Sequence, residues 1–106
     1  MTNNQPFSDQ VRTKALEWAD LDAAARMLEE GKTTYLAQRI DVLGDMPVSK
    51  ATHQVKASPD WADYIKKMVK AKTLANKARI ELEYIKMVYW EHSGLEANKR
   101  AEMRMG

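Results

Sequence analysis

The sequence predicts an all-α fold, a long antiparallel helical hairpin that dimerises into a four-helix bundle or coiled-coil-like assembly. The first observation is a seven-residue repeat of mostly apolar side chains along Trp61–Tyr89. The second is an apolar stripe at helical spacing along Trp18–Leu43. The third is the absence of glycine and proline from residues 60–92, which allows one uninterrupted helix there.

The composition is that of one small folded domain covering residues 1–106. Of the 106 residues, 44% are hydrophobic and 30% are charged, as in globular rather than disordered proteins. There is no cysteine, which excludes disulfides, thiolate catalysis and cysteine-ligated zinc. Met1–Phe7 lacks the features of a secretory signal, and no run of about 18 apolar residues occurs. We expect a cytoplasmic protein that does not bind membranes.

After a flexible N-terminus at residues 1–8, the first long helix is predicted over residues 9–43. Glycine costs about 1 kcal/mol relative to alanine inside a helix, so the helix either ends at Gly31 or uses it at a close crossing. We favour a continuous helix because the apolar stripe keeps its phase across Gly31. The stripe consists of Trp18, Leu21, Ala25, Leu28, Tyr35, Leu36, Val42 and Leu43.

Residues 44–58 form the predicted connector between the two long helices. Gly44 and Pro47 are residues that end a helix and begin a turn. A connector of this length is long for an antiparallel helix pair. We therefore expect one or two helical turns within Val48–Ala57.

The second long helix is predicted over residues 59–92. Ser58 can accept a hydrogen bond from the first turn, and Pro59 stands where its missing N–H costs nothing. Two adjoining lines of residues that repeat in sevens predict the seam against the first helix. They are Trp61, Met68, Ala75, Leu82 and Tyr89, and Tyr64, Ala71, Ala78, Ile85 and His92.

Residues 93–106 are predicted to form a short C-terminal helix or a tail. Ser93 and Glu96 have the S-x-x-E spacing of a capping box, which marks the start of a helix. The alternative is a frayed continuation of the second long helix.

A second apolar side is predicted on the second helix, facing away from the seam. At about 100° per residue, Ile80, Tyr84 and Met87 lie roughly opposite Leu82, and Trp90 flanks them. We interpret this side as an interface that a partner protein or a second copy covers. A homo-oligomer, most simply a dimer, is the expectation. The alternatives are a thicker local core and a short strand over residues 80–84.

The net charge of +2 is unevenly distributed along the chain. Residues 1–45 carry a net charge of −3, and residues 46–106 carry +5. Five basic residues of the second long helix either contact the phosphates of DNA or RNA or are neutralised by the acidic first helix. No aromatic residue lies among them, so any nucleic-acid binding is expected to be weak and independent of sequence. The candidates are Lys66, Lys67, Lys70, Lys77 and Arg79.

No motif for catalysis or metal binding is found. The metal centres of helix bundles use Glu-x-x-His pairs, but Lys50 precedes His53 at that spacing, and Tyr89 precedes His92. There is no glycine-rich phosphate loop and no G-x-S-x-G. We expect a non-enzymatic protein without catalytic residues, metal, cofactor or small-molecule substrate.

Three stretches resemble small helical-hairpin proteins of unknown function that bacteriophages and prophages encode. They are VKASPDWADYI from Val55, then AKTLANKA, then YWEHSGLEANKRAEMRM, and the resemblance covers roughly residues 15–105. It implies a viral accessory protein in the host cytoplasm, near DNA replication or recombination. The first functional interpretation is an oligomeric accessory protein that acts through protein–protein contacts. The alternatives are a sequence-nonspecific DNA- or RNA-binding accessory and an inhibitor of a host enzyme.

Overall fold

The computed structural model describes residues 6–105, which form three α-helices. α1 is Phe7–Val42, α2 is Val48–Lys56 and α3 is Pro59–Met105. No residue of this range forms a strand, so the all-α class is confirmed and the alternative of a strand at residues 80–84 is wrong. The predicted flexible N-terminus, residues 1–8, lies partly outside the described residues, and α1 already includes Phe7 and Ser8.

The two long helices pack side by side in opposite directions and form a hairpin. Three ion pairs define the alignment, because the start of α1 meets the far part of α3 and the end of α1 meets its beginning. These pairs are Lys14 with Glu81, Glu29 with Lys72, and Arg39 with Asp60. The resulting molecule is a rod that measures 85 × 24 × 17 Å.

The hydrophobic core is a thin seam along the hairpin. Among residues 6–104, eight side chains are buried, and four of them are alanines: Ala25 of α1, Ala51 and Val55 of α2, and Met68, Ala75, Ala78, Leu82 and Ile85 of α3. The five core residues of α3 all belong to the two predicted lines. Alanine allows helices to approach closely but removes little apolar area from water, so the core is small for the length of the molecule. Tyr89 and His92, which end the two lines, are exposed.

The predicted stripe of α1 is directed toward α3 along most of the helix. Ala25 is buried, and the residues from Trp18 to Leu36 on the stripe are otherwise half-buried. Val42 is 76% exposed, so its assignment to the stripe is wrong. α1 ends at Val42, where the chain turns toward α2, and the half-buried Leu43 takes the inward position instead.

The connector contains α2, a nine-residue helix that closes one end of the hairpin. Its buried residues, Ala51 and Val55, contribute to the core, and α2 contacts both long helices. Gly44, just after the C-cap of α1, has a φ of +72°, a conformation that glycine adopts without strain. The expected helical turns in the connector are confirmed.

Ser58 caps α3 as predicted. Its Oγ accepts a hydrogen bond from the backbone N–H of Trp61 at 3.2 Å, and its hydroxyl donates to the carbonyl oxygen of Val55 at 2.6 Å. A single side chain thus connects the end of α2 to the first turn of α3 and fixes the angle between them.

The predicted helix boundary at His92 is wrong, because α3 runs through Ser93 and Gly94 without interruption. Ser93 is helical and so is not an N-cap. Glu96 pairs instead with His92 at 3.2 Å and with Arg100 at 3.7 Å, each four residues away. Such i,i+4 contacts support a helix that Gly94 weakens by about 1 kcal/mol.

α3 extends well beyond the start of α1. The ring of Phe7, the first residue of α1, lies 5.3 Å from the ring of His92. Residues 93–105, called here the overhang, therefore project past α1 by about 20 Å at the rise of an α-helix. The side chains of residues 94–104 are all exposed, so the hairpin itself does not cover the overhang.

Candidate interaction surface on α3

The four residues predicted to form an interface are all exposed in the single chain. The exposed fractions are 61% for Ile80, 62% for Tyr84, 54% for Met87 and 69% for Trp90. Leu82, which lies among them in the sequence, is only 5% exposed because it is part of the seam against α1. Between residues 80 and 90, α3 therefore has two apolar sides, and α1 covers one of them.

Trp90 is separated from the other three residues around the helix. At 100° per residue, Ile80 and Met87 lie within about 60° of Tyr84, whereas Trp90 lies about 120° away. Its indole ring contacts Tyr89 edge-on at 5.7 Å and lines an open groove of about 410 Å³ between α3 and the start of α1. Ile80, Tyr84 and Met87 form one surface, called here the apolar patch, and Trp90 belongs to the neighbouring groove.

The candidate nucleic-acid residues are all exposed, but they do not share one side of α3. Lys66, Lys70 and Lys77 lie within about 40° of the line that runs along α3 through Tyr84. Lys67 and Arg79 lie about 100° and 140° from this line. The structure thus brings three of the five together and places them next to the apolar patch.

The acidic first helix does not neutralise these five side chains. None of the five forms an ion pair with another residue in the range 6–105. Among the Lys and Arg residues of positions 66–79, Lys72 is the one that pairs with α1, through Glu29 at 3.0 Å. The other two cross-helix pairs have the reverse polarity, with the cation on α1. Most of the positive charge of α3 is therefore available to another molecule.

Lys14 of α1 and Glu81 of α3 form an ion pair between the two helices beside the apolar patch. The Nζ of Lys14 lies 2.7 Å from Oε2 of Glu81 and 3.2 Å from Oε2 of Glu17. Hydrogen bonds to Glu81 and to Glu17 raise the pKa of Lys14 above the usual lysine value. This exposed pair joins α1 to α3 beside the apolar patch.

One continuous line along α3 joins three of the basic residues, the apolar patch, and the acidic residues Glu91 and Glu102. Because α3 continues past His92, residues at intervals of three and four stay within about 40° of Tyr84 over its whole length. We call this line the outer stripe, and all of its members except the half-buried Val88 are exposed. It consists of Lys66, Lys70, Thr73, Lys77, Ile80, Tyr84, Val88, Glu91, Leu95, Asn98 and Glu102, with Met87 at its edge.

Residues 6–105 meet neither the requirements of a metal site nor those of a membrane-spanning helix. Across residues 6–105, no three His, Asp or Glu side chains are grouped so that they could hold a metal ion. His92 instead pairs with Glu96, and His53 lies exposed on α2. In the same range, no helix has both the length and the apolar character needed to span a membrane.

Comparison with known proteins does not assign the chain to a family. No protein-family model, no curated protein and no solved structure matches it. Function is therefore inferred from the surface of α3.

Proposed function

We propose that the protein is a non-enzymatic helical accessory protein that acts through protein–protein contacts and self-associates, with a second copy covering the apolar patch. The observation that carries the proposal is that Ile80, Tyr84 and Met87 are each more than half exposed on the side of α3 away from α1. Three large apolar side chains within two helical turns make a contiguous surface, and association removes that surface from water.

A second copy suits this surface because the core of a single hairpin is small. Half of the eight side chains buried within residues 6–104 are alanines, and one thin seam gives modest stability to a chain of 106 residues. Pairing two apolar patches adds a second seam between the α3 helices and brings four long helices into one assembly. A two-fold dimer uses the same patch on both copies, so it requires no other surface.

Sedimentation equilibrium at micromolar concentration tests this proposal. We expect the unmodified protein to have twice the chain mass of 12.1 kDa. The double variant Ile80→Ser/Met87→Ser should shift to the monomer because it removes apolar area from the patch. Met27→Ser is the matched control, since Met27 is 74% exposed but lies on α1. A mass of one chain for the unmodified protein at every concentration would refute self-association.

Nucleic-acid binding is the second candidate function. The observation in its favour is that Lys66, Lys70 and Lys77 lie in one line on α3 and have no acidic partner within residues 6–105. Lysines spaced along one side of a helix can contact successive phosphates, and such binding weakens steeply as salt rises. No feature of the described residues favours the third alternative, inhibition of a host enzyme.

Fluorescence anisotropy with labelled DNA and RNA tests this second candidate. Binding should occur at about 50 mM salt, weaken by at least about tenfold at 200 mM, and depend little on sequence. Lys66→Glu/Lys70→Glu/Lys77→Glu should abolish it, whereas the control Lys50→Glu/Lys56→Glu, on α2, should not. The absence of binding at the lower salt concentration would exclude this function.

A further inference from the structure

The outer stripe carries opposite charges at equal distances on the two sides of Tyr84. Lys77 lies seven residues before Tyr84, and Glu91 lies seven residues after it. Lys66 and Glu102 lie 18 residues before and 18 residues after the same tyrosine. Between the inner two charges, the stripe is apolar.

We propose that the second copy docks antiparallel, with the two α3 helices facing each other along the outer stripe and a two-fold axis at Tyr84. This inference rests on the proposed self-association and adds the geometry of the contact. In this arrangement Lys77 of each copy faces Glu91 of the other, and Tyr84 faces its own counterpart. Lys66 faces Glu102 at each end of the contact.

The four charged groups have no ion-pair partners among residues 6–105. Lys66, Lys77, Glu91 and Glu102 are exposed, and no ion pair within residues 6–105 includes any of them. An antiparallel second copy supplies an opposite charge to all four at once. Charge pairs beside an apolar contact determine orientation and register more than they determine affinity.

The overall charge of α3 favours the same orientation. Residues 59–79 carry a net charge of +4, and residues 80–105 carry −1. Parallel helices would place the two +4 segments side by side, and their repulsion would oppose association. Antiparallel helices place each +4 segment against a −1 segment.

The spacing of the stripe suits two straight helices. The positions of its members recur every 18 residues, as at 66, 84 and 102, which is five turns of about 3.6 residues, so the line does not wind around the helix. The contacts between Lys77 and Glu91 lie about 10 Å from the two-fold axis and persist if the helices tilt. The contacts between Lys66 and Glu102 lie about 27 Å away, so they depend more strongly on the crossing angle.

The antiparallel arrangement also covers the overhang. Facing residues are equally far from Tyr84, so residues 93–105 of one copy lie along residues 63–75 of the other. Leu95, which is 62% exposed in the single chain, comes to face Thr73. A second copy and a nucleic acid then compete for the same lysines of the outer stripe.

Single-cysteine variants test the arrangement, because the chain has no native cysteine. Tyr84→Cys should form a disulfide-linked dimer under mild oxidation, since the two sulfurs face each other. Lys70→Cys should not, because the two copies of residue 70 lie about 42 Å apart. A mixture of Lys77→Cys and Glu91→Cys should give mainly the mixed disulfide. Two outcomes would overturn the antiparallel contact. One is a disulfide-linked dimer of Lys70→Cys with itself. The other is that Lys77→Cys and Glu91→Cys each link to themselves and do not form the mixed disulfide.

Charge reversal gives a second readout that does not depend on oxidation. Lys77→Glu and Glu91→Lys should each weaken the dimer by about tenfold or more, because each creates two like-charged pairs. The double variant should restore the Kd of the unmodified protein, and Lys50→Glu on α2 should leave it unchanged. A dimer whose Kd neither single variant changes would overturn the antiparallel contact but not self-association. A monomeric unmodified protein would overturn both.

Discussion

The hydroxyl of Tyr64 on α3 lies against Gly31 of α1. A β-carbon at Gly31 would be 3.2 Å from this hydroxyl oxygen, and the hydroxyl donates a hydrogen bond to the carbonyl oxygen of Leu28 at 2.5 Å. The Tyr64 ring also stacks on the ring of Tyr35, with 4.6 Å between their centroids. Gly31 thus makes room for a hydrogen bond between the two helices, which accounts for a glycine inside a 36-residue helix.

Gly31→Ala is expected to change stability differently with and without the Tyr64 hydroxyl. In the unmodified protein the higher helix propensity of alanine is offset by the close contact, so the free energy of unfolding should not rise. In a Tyr64→Phe background, which itself loses about 1 kcal/mol with the hydrogen bond, Gly31→Ala should regain up to about 1 kcal/mol. Urea unfolding followed by circular dichroism measures both effects. An identical effect of Gly31→Ala in the two backgrounds would show that the hydroxyl does not constrain this position.

Removing the Ser58 cap is expected to destabilise the hairpin. Ser58→Ala leaves the N–H of Trp61 without its acceptor, so the free energy of unfolding should fall by about 1 kcal/mol. Ser58→Thr keeps the hydroxyl and should retain most of the stability. Ser49→Ala is the control, because Ser49 is an exposed residue near the start of α2. Equal unfolding midpoints for Ser58→Ala and Ser49→Ala would mean that the cap contributes nothing.

The two apolar sides of α3 are expected to respond differently to the same truncation. Leu82→Ala creates a cavity in the seam and should lower the free energy of unfolding by about 2–5 kcal/mol at any protein concentration. Ile80→Ala should change the stability of the dilute monomer by less than about 0.5 kcal/mol. At high concentration it should destabilise the protein more, because it weakens the dimer. Urea unfolding at two protein concentrations separates these effects, and a concentration-independent loss for Ile80→Ala would argue against its place in an interface.

The seam and the cap could be predicted from the sequence because both depend on local spacing. Met68, Ala75 and Leu82 repeat in sevens, and any helix with that repeat has a continuous apolar line. Val42 was wrongly placed for the opposite reason, since its phase is correct but α1 ends there. The S-x-x-E motif at Ser93 is also local, and the motif alone cannot show whether the preceding helix has ended.

The surface of α3 could be predicted only in part. The spacing of Ile80, Tyr84 and Met87 was enough to place them on the side opposite Leu82. Whether a lysine of α3 pairs with an acidic residue of α1, as Lys72 does, depends on the alignment of the two helices, which the sequence does not specify. The outer stripe was missed because the predicted break at residue 92 hid its continuation to Glu102, although the spacing of three and four residues was already in the sequence.

Truncation after His92 is expected to separate the stability of the hairpin from that of the dimer. The overhang does not pack against α1, so its removal should change the unfolding free energy of the dilute monomer by less than about 0.5 kcal/mol. In the antiparallel dimer it removes Glu102 and the surface that lies along residues 63–75, so Kd should rise by about tenfold or more. Urea unfolding at low concentration and sedimentation equilibrium measure the two quantities.

Glu102→Lys in the full chain is the matched variant, since it keeps the helix length and removes the charge pair. A large loss of monomer stability on truncation would show instead that the overhang supports the hairpin, and an unchanged Kd would place the dimer contact elsewhere.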